Sequence, residues 1–233
     1  DAADADDTTS IDDAGSDAAD AAAADTTAGV QAAQWADNVE ISLGDGSFTF
    51  RSDSLPSHEL PDQFLIPQGQ PGAADPSFEA TDTDSLLSPV DLEVEITLNP
   101  VYSEEVTDNP LGQIGVLISG AQLFNDFENM ERSIVAVDDQ TIIDGVAFLD
   151  SCNGHPLASG ADYHYHGIPY CITDDIDIAG QHSTILGVLR DGFPVYANKD
   201  VDGVTLTSAD LDECSGHFGA TPEFPDGSYH YHL

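Results

Sequence analysis

Positive charge is what this sequence has least of. Its 233 residues include four basic side chains, Arg51, Arg132, Arg190 and Lys199, against 44 Asp and Glu, for a formal net charge of −40 at pH 7. Phosphate contacts draw on Lys and Arg, so this balance argues against nucleic acid as a partner and equally against an anionic membrane surface. Long apolar runs are missing too. No stretch approaches the roughly 18 residues that a membrane-crossing helix needs, so no span is expected. Cysteine is scarce: three are present, enough for one disulfide with one thiol left over. The chain begins at Asp1 rather than Met, which suggests that an export signal has been removed.

The acidic excess has two readings. One is a disordered acidic chain. Against it, 40% of the residues are hydrophobic, and many of them fall in strand-like runs. The other is a folded protein of high-salt surroundings, because at 1 M salt the Debye length falls to about 3 Å and self-repulsion largely vanishes. The second agrees better with the composition. Together with export it places the protein outside the cell or on the cell surface of a high-salt organism.

Two regions follow from composition. Residues 1–34 form an acidic, low-complexity tail of Asp, Ala, Thr and Ser. It is either a spacer or a segment that adds a strand to a neighbouring subunit, making a homo-oligomer or filament. Residues 35–233 are expected to form one domain, mostly β: an antiparallel sheet with long loops and little helix. Leu92, Val94, Ile96 and Leu98 alternate with Glu93, Glu95 and Thr97, the pattern of a strand with one wet face. Phe48 and Phe50 share a face after the Gly44-Asp45-Gly46 turn. Residues 115–120 read as a buried strand, and residues 185–196 as two strands joined at Asp191-Gly192. The five prolines of 56–80 predict a long loop. Short helical turns are expected at 125–132 and 208–213, and short strands at 134–137 and 141–143.

One phrase occurs twice. Leu149-Asp150-Ser151-Cys152-Asn153-Gly154-His155 precedes Tyr163-His164-Tyr165-His166, and Leu211-Asp212-Glu213-Cys214-Ser215-Gly216-His217 precedes Tyr229-His230-Tyr231-His232. Six of the eight histidines sit in these phrases. On a strand the two histidines of each Tyr-His-Tyr-His project to one face and the two tyrosines to the other. A single His-x-His is often an ordinary polar strand. The same constellation repeated, each time behind a Gly-His, points to metal ligation. The ligands are His155, His164 and His166 with His217, His230 and His232, as two matched sites or as one shared binuclear cluster. Imidazoles without paired carboxylates suit copper first and zinc second. Clustered imidazoles would repel once protonated, so metal affinity is expected to fall below about pH 6.

Cys152 and Cys171 bracket the first Tyr-His-Tyr-His, and a disulfide between them would hold that strand in place. The pairings Cys152–Cys214 and Cys171–Cys214 stay open. Under the first pairing Cys214 is either a buried thiol or a thiolate ligand of the second site. Residues 198–203 resemble the start of a calcium loop, but Ala209 stands where the closing Glu belongs, so a plain turn is the stronger reading.

The doubled Tyr-His-Tyr-His, the Cys-x-Gly-His before each, and residues 189–196 together resemble the YHYH domain family of exported bacterial and archaeal proteins. The resemblance covers roughly residues 90–233. It implies an extracytoplasmic domain whose histidines bind metal, and it supplies no reaction. His182 and Asp191 also match the family pattern and join the candidates on that ground.

Three functions are compatible with these residues. The first is an extracellular copper-binding protein, as a redox or filament-forming subunit. The second is a copper- or zinc-dependent metalloenzyme with Asp191 or Glu213 as general base. The third is a structural surface protein stapled by metal. A three-ligand site leaves a position open for chemistry, whereas a four-ligand site is closed.

Overall fold

The computed structural model describes residues 24–68 and 77–233. In chain order, a short helix α1 (Thr27–Ala32) leads into strands β1 (Glu40–Leu43) and β2 (Ser47–Ser52). A hairpin of β3 (Gln63–Gln68) and β4 (Ser77–Asp82), a single helical turn α2 (Thr83–Leu86) and strand β5 (Leu92–Thr97) follow. The alternation of β5 survives in the fold: Val94 and Ile96 are buried while Glu93 and Glu95 are exposed. With Phe48 and Phe50 of β2 they form the inner face of a three-stranded sheet, β1-β2-β5.

Residues 24–34 lie against this sheet. Val30 is 1% exposed and packs with Phe48, Phe50, Val94 and Ile96, and the Thr26 amide donates to the Leu98 carbonyl. A lone valine in an Ala/Thr stretch has no helical pattern to announce it; the apolar hollow above the sheet selects it. Residues 1–23, with the subunit-linking role expected of the tail, lie outside the described residues. The Pro-rich stretch is not a continuous loop. Phe64, Leu65 and Ile66 are buried, and β3 pairs antiparallel with β4 through Pro67 opposite Phe78. A two-stranded ladder has only edge strands, where proline's missing N–H costs little.

The second sheet carries the histidines. Its strands are β6 (Gln113–Leu117), β7 (Gln122–Phe124), β10 (Gly154–His155), β11 (His164–Tyr165), β12 (Ile185–Leu189), β13 (Pro194–Tyr196), β14 (Gly216–Gly219) and β15 (Ser228–His232). Between β7 and β10 lies a small hairpin, β8 (Ile142–Ile143) with β9 (Val146–Ala147). A helix α3 (Tyr170–Ile176) precedes β12. Most of the sheet is antiparallel, with parallel pairings of β11 to β7 and β15 to β13.

The order β10-β11-β7-β6-β12-β13-β15-β14 is symmetric about its middle. Each half is a hairpin whose second strand takes the histidine strand beside it, with the Gly-His strand at the edge. The halves meet at Val116 opposite Val188, flanked by Gly115 opposite Leu189 and Leu117 opposite Gly187. Both glycines are demanded by this approach: a Cβ on Gly187 would lie 2.0 Å from the Val116 carbonyl, and one on Gly115 2.7 Å from Leu189. Val116 and Val188 face the three-stranded sheet. Leu117, Leu123, Ile185 and Leu186 join a second core with Phe64 and Ile66 of the hairpin and Ile172 of α3.

Several local expectations differ from the fold. Residues 125–132 form turns tied by a bridge between Phe127 and Val135, and 208–213 is a turn in which Asp210 accepts from Thr207. Residues 134–137 contribute only that bridge. Asn129 explains the first case, since its side chain accepts from the amides of Ser133 and Ile134 and competes with helical pairing. No helix among the described residues is long and apolar enough to cross a membrane.

Candidate metal centres

Each histidine phrase folds around an aspartate. Asp150 Oδ1 accepts from the amides of Cys152 and Gly154 at 2.8 and 3.1 Å, and Asp212 Oδ1 from those of Cys214 and Gly216 at 2.9 and 3.0 Å. Asn153 and Ser215 take left-handed backbone at φ 59° and 63° to close the two turns. The second carboxylate oxygen of each aspartate accepts a tyrosine hydroxyl, Tyr163 at 2.5 Å and Tyr229 at 2.8 Å. The other two tyrosines also match: Tyr165 donates to Ser119 at 2.9 Å, and Tyr231 to Asp191 at 2.6 Å. All four tyrosines are thereby tied on one face, leaving the histidines on the other.

Backbone carbonyls then set the imidazoles. Nδ1 of His164 and of His166 donates to the carbonyls of Asp162 and Asn125, at 2.7 and 2.6 Å. Nδ1 of His230 and of His232 donates to those of Ser228 and Ala197, at 3.0 and 2.5 Å. Each neutral ring consequently keeps a lone pair on Nε2, the tautomer that ligates metal through that atom.

These lone pairs converge. His155 Nε2 lies 3.2 Å from His166 Nε2, and His217 Nε2 lies 3.1 and 3.2 Å from the Nε2 atoms of His230 and His232. One Glu128 carboxylate oxygen sits 2.8 Å from Nε2 of both His155 and His166. With Nδ1 committed to the Asn125 carbonyl, His166 turns Nε2 toward this carboxylate oxygen. At the second centre the single Nε2 of His217 can donate to only one of the two Nε2 atoms that face it. Acceptor against acceptor in a buried place is unfavourable unless a cation lies between them.

A proton is a poor choice for that cation. Burial lowers His155, and lowers His164 well below the ordinary imidazole value, the latter helped by repulsion from its neighbours. Burial likewise brings His230 down to about 3 and His232 to about 4. Proton competition for these rings is therefore displaced to more acid conditions than the pH 6 expected from clustering alone. Burial by itself would raise Glu128, but the adjacent His155 and His166 rings outweigh it and hold the carboxyl well below its usual range.

The two centres are separate. Five strand spacings divide β11 from β15, about 24 Å at roughly 4.8 Å each, so a shared binuclear cluster is ruled out. The first centre gathers Glu128, His155, His164 and His166. Phe124 stacks on His164 at 3.8 Å between centroids, and Phe148 lies 4.3 Å from His155, which closes this centre over. The second has His217, His230 and His232, with His182 offering a nitrogen within 4.8 Å of donors on His230 and His232. His217 is only half-buried.

The remaining candidates divide. His182 joins the second centre. Asp191 does not, since its carboxylate accepts from Tyr231 and from the Phe193 amide on the tyrosine face. Cys214 is exposed rather than a buried thiol, and it belongs to no converging donor group among the described residues. Its turn lies at the sheet edge, with no partner cysteine beneath it. Cys152 and Cys171 form a disulfide, with Cα atoms 5.3 Å apart. The calcium-like stretch is a tight turn at Val201–Gly203 in which Asp200 accepts from the Val201 amide, and its carboxylates do not converge.

Glu128 is the donor missing from the sequence reading. A signal for it exists. Ile114-Gly115-Val116-Leu117 repeats as Leu186-Gly187-Val188-Leu189, and in this register Glu128 stands opposite Asp200. The repeat extends beyond the histidine phrases to the whole half-sheet.

Two overlapping segments of the chain, residues 93–207 and 199–233, match the family model described as YHYH protein. Comparison with curated proteins and with solved structures produced no match.

Proposed function

We propose that this chain, which belongs to the YHYH protein family, is an extracellular metal-binding protein that holds one transition-metal ion at each end of its histidine sheet, copper in preference to zinc. The observation that carries this reading is the convergence of imidazole Nε2 atoms at both centres, with Glu128 added at the first. Imidazole-dominated donor sets favour Cu(II) over other first-row divalent ions. The disulfide and the acidic composition support an extracellular place. The covering of the first centre by Phe124 and Phe148 supports holding or redox relay over catalysis. The filament role rests on the tail, outside the described residues.

Copper titration of the full chain, read by elemental analysis after desalting, tests this. Two equivalents are expected, one lost in His166→Ala and the other in His232→Ala. Retention of fewer than one equivalent by the unaltered chain, or two by both variants, would refute it. A staple role is favoured at the first centre by its burial beneath Phe124 and Phe148. Chelation should therefore lower the melting temperature of the parent by more than it lowers that of His166→Ala, which keeps only the second centre.

A further inference from the structure

We propose that the two centres sort copper by oxidation state, the Glu128 centre holding Cu(II) and the His182 centre holding Cu(I). This rests on both centres being copper sites. The halves of the sheet match at nearly every supporting position: Asp150 with Asp212, Ser119 with Asp191, Asn125 with Ala197, and Phe124 with Tyr196. They part at the donor beyond the three histidines. The first half places the Glu128 carboxylate 2.8 Å from two Nε2 atoms. In the second half the matching residue is Asp200, one methylene shorter, and its carboxylate stops 3.9 Å from His182 Nε2. His182 instead is 7% exposed, donates Nδ1 to the Ser183 carbonyl, and leaves Nε2 buried with no partner. Pro110 occupies the matching position in the first half, so that half has no equivalent histidine.

The consequence is a difference in buried charge. With Glu128, a divalent ion leaves the first centre one net positive charge. Among neutral imidazoles alone a divalent ion leaves two, and a monovalent ion leaves one. Uncompensated charge is costly in a dry interior. The Asp200 side chain is 25% exposed and beyond hydrogen-bond reach, so solvent weakens its compensation. Ligand character acts in the same direction, since a hard carboxylate favours the higher oxidation state and an all-imidazole set accommodates the softer Cu(I).

The test uses the full chain loaded anaerobically with two equivalents of Cu(II) and followed by electron paramagnetic resonance. Excess ascorbate is then added, which donates one electron to each Cu(II) that accepts it. In the unaltered chain the signal should fall by half. In Glu128→Gln, which keeps the side-chain shape and removes the charge, it should fall to baseline. Loss of both signals together in the unaltered chain, persistence of both, uptake of one equivalent only, or a half-signal that survives in Glu128→Gln would each overturn the sorting. If that variant does not fold, His232→Ala decides, since the one signal left at its Glu128 centre should persist under ascorbate and its loss would overturn the sorting. Binding of no copper would overturn the metal-binding function instead, so the two failures are distinguishable.

Discussion

Asp150 and Asp212 each hold one tyrosine hydroxyl and two amides, so the histidine strands are anchored through carboxylates that take no part in the donor sets. The glycine in each turn is the weak point of that anchor, because an added Cβ would lie 2.2 Å from the Tyr163 oxygen at Gly154 and 2.3 Å from the Tyr229 oxygen at Gly216. Gly154→Ala and Gly216→Ala should each cost about 1–3 kcal/mol as the tyrosine is displaced. Each should also lose one metal equivalent, at its own centre only; urea midpoints and metal stoichiometry measure both effects. The depressed histidines predict a pH effect of defined sign. His230 near 3 and His232 near 4 lie below the ordinary 6.5, so within that window the unfolded chain binds more protons than the folded one. Stability of the chelated protein should be full above about pH 6.5 and decline as pH falls toward 4. Comparison at pH 7 and 5 keeps the ordinary carboxylates ionised. The denaturation midpoint should drop at pH 5, and drop less in a His230→Gln, His232→Gln double variant.

At the scale of elements, the strands that matter most are the shortest. β10 and β11 are two residues each and would not persist alone; pairing with β7 and the Cys152–Cys171 bond keep them in register. α1 is similar, six residues without a side-chain cap, held through one buried valine. Val30→Ala should destabilise the fold by about 2 kcal/mol, through lost burial and the cavity left behind. Its effect should be visible in a urea titration, with the metal stoichiometry unchanged because Val30 packs in the core opposite the three-stranded sheet and not among the histidines. A shift below about 0.5 kcal/mol would mean that α1 docks only weakly.

On the scale of the whole molecule, 44 acidic side chains share four basic ones. Arg51 pairs with Glu93 at 2.7 Å and Arg132 with Asp108 at 3.7 Å, so nearly all the acidic charge is left without a partner. Raising KCl from about 0.1 M to molar concentration shortens the Debye length from about 10 to 3 Å. A few kcal/mol of relieved repulsion would raise the melting temperature by roughly 10 °C in a chain of this size. A midpoint independent of KCl would contradict adaptation to salt. The same scale accounts for two centres: the duplicated half-sheet puts its edges, and therefore its Gly-His strands, at opposite ends.

Sequence alone determined what depends on neighbours along the chain. Period-two alternation marked β2 and β5, the Tyr-His-Tyr-His spacing sent tyrosines and histidines to opposite faces, and the bracketing cysteines anticipated the disulfide. Tertiary structure decided what depends on distant neighbours. Glu128 becomes a donor only because the turn after β7 lies across the paired β10 and β11, and in sequence it is one acidic residue among 44. Asp191 matches a family pattern, yet the sheet turns it toward Tyr231 and away from the imidazoles. The division into two centres follows from strand order, which no local period encodes, because the pairing of β6 with β12 joins residues about 70 positions apart and its loop-closure entropy is offset only by the assembled core.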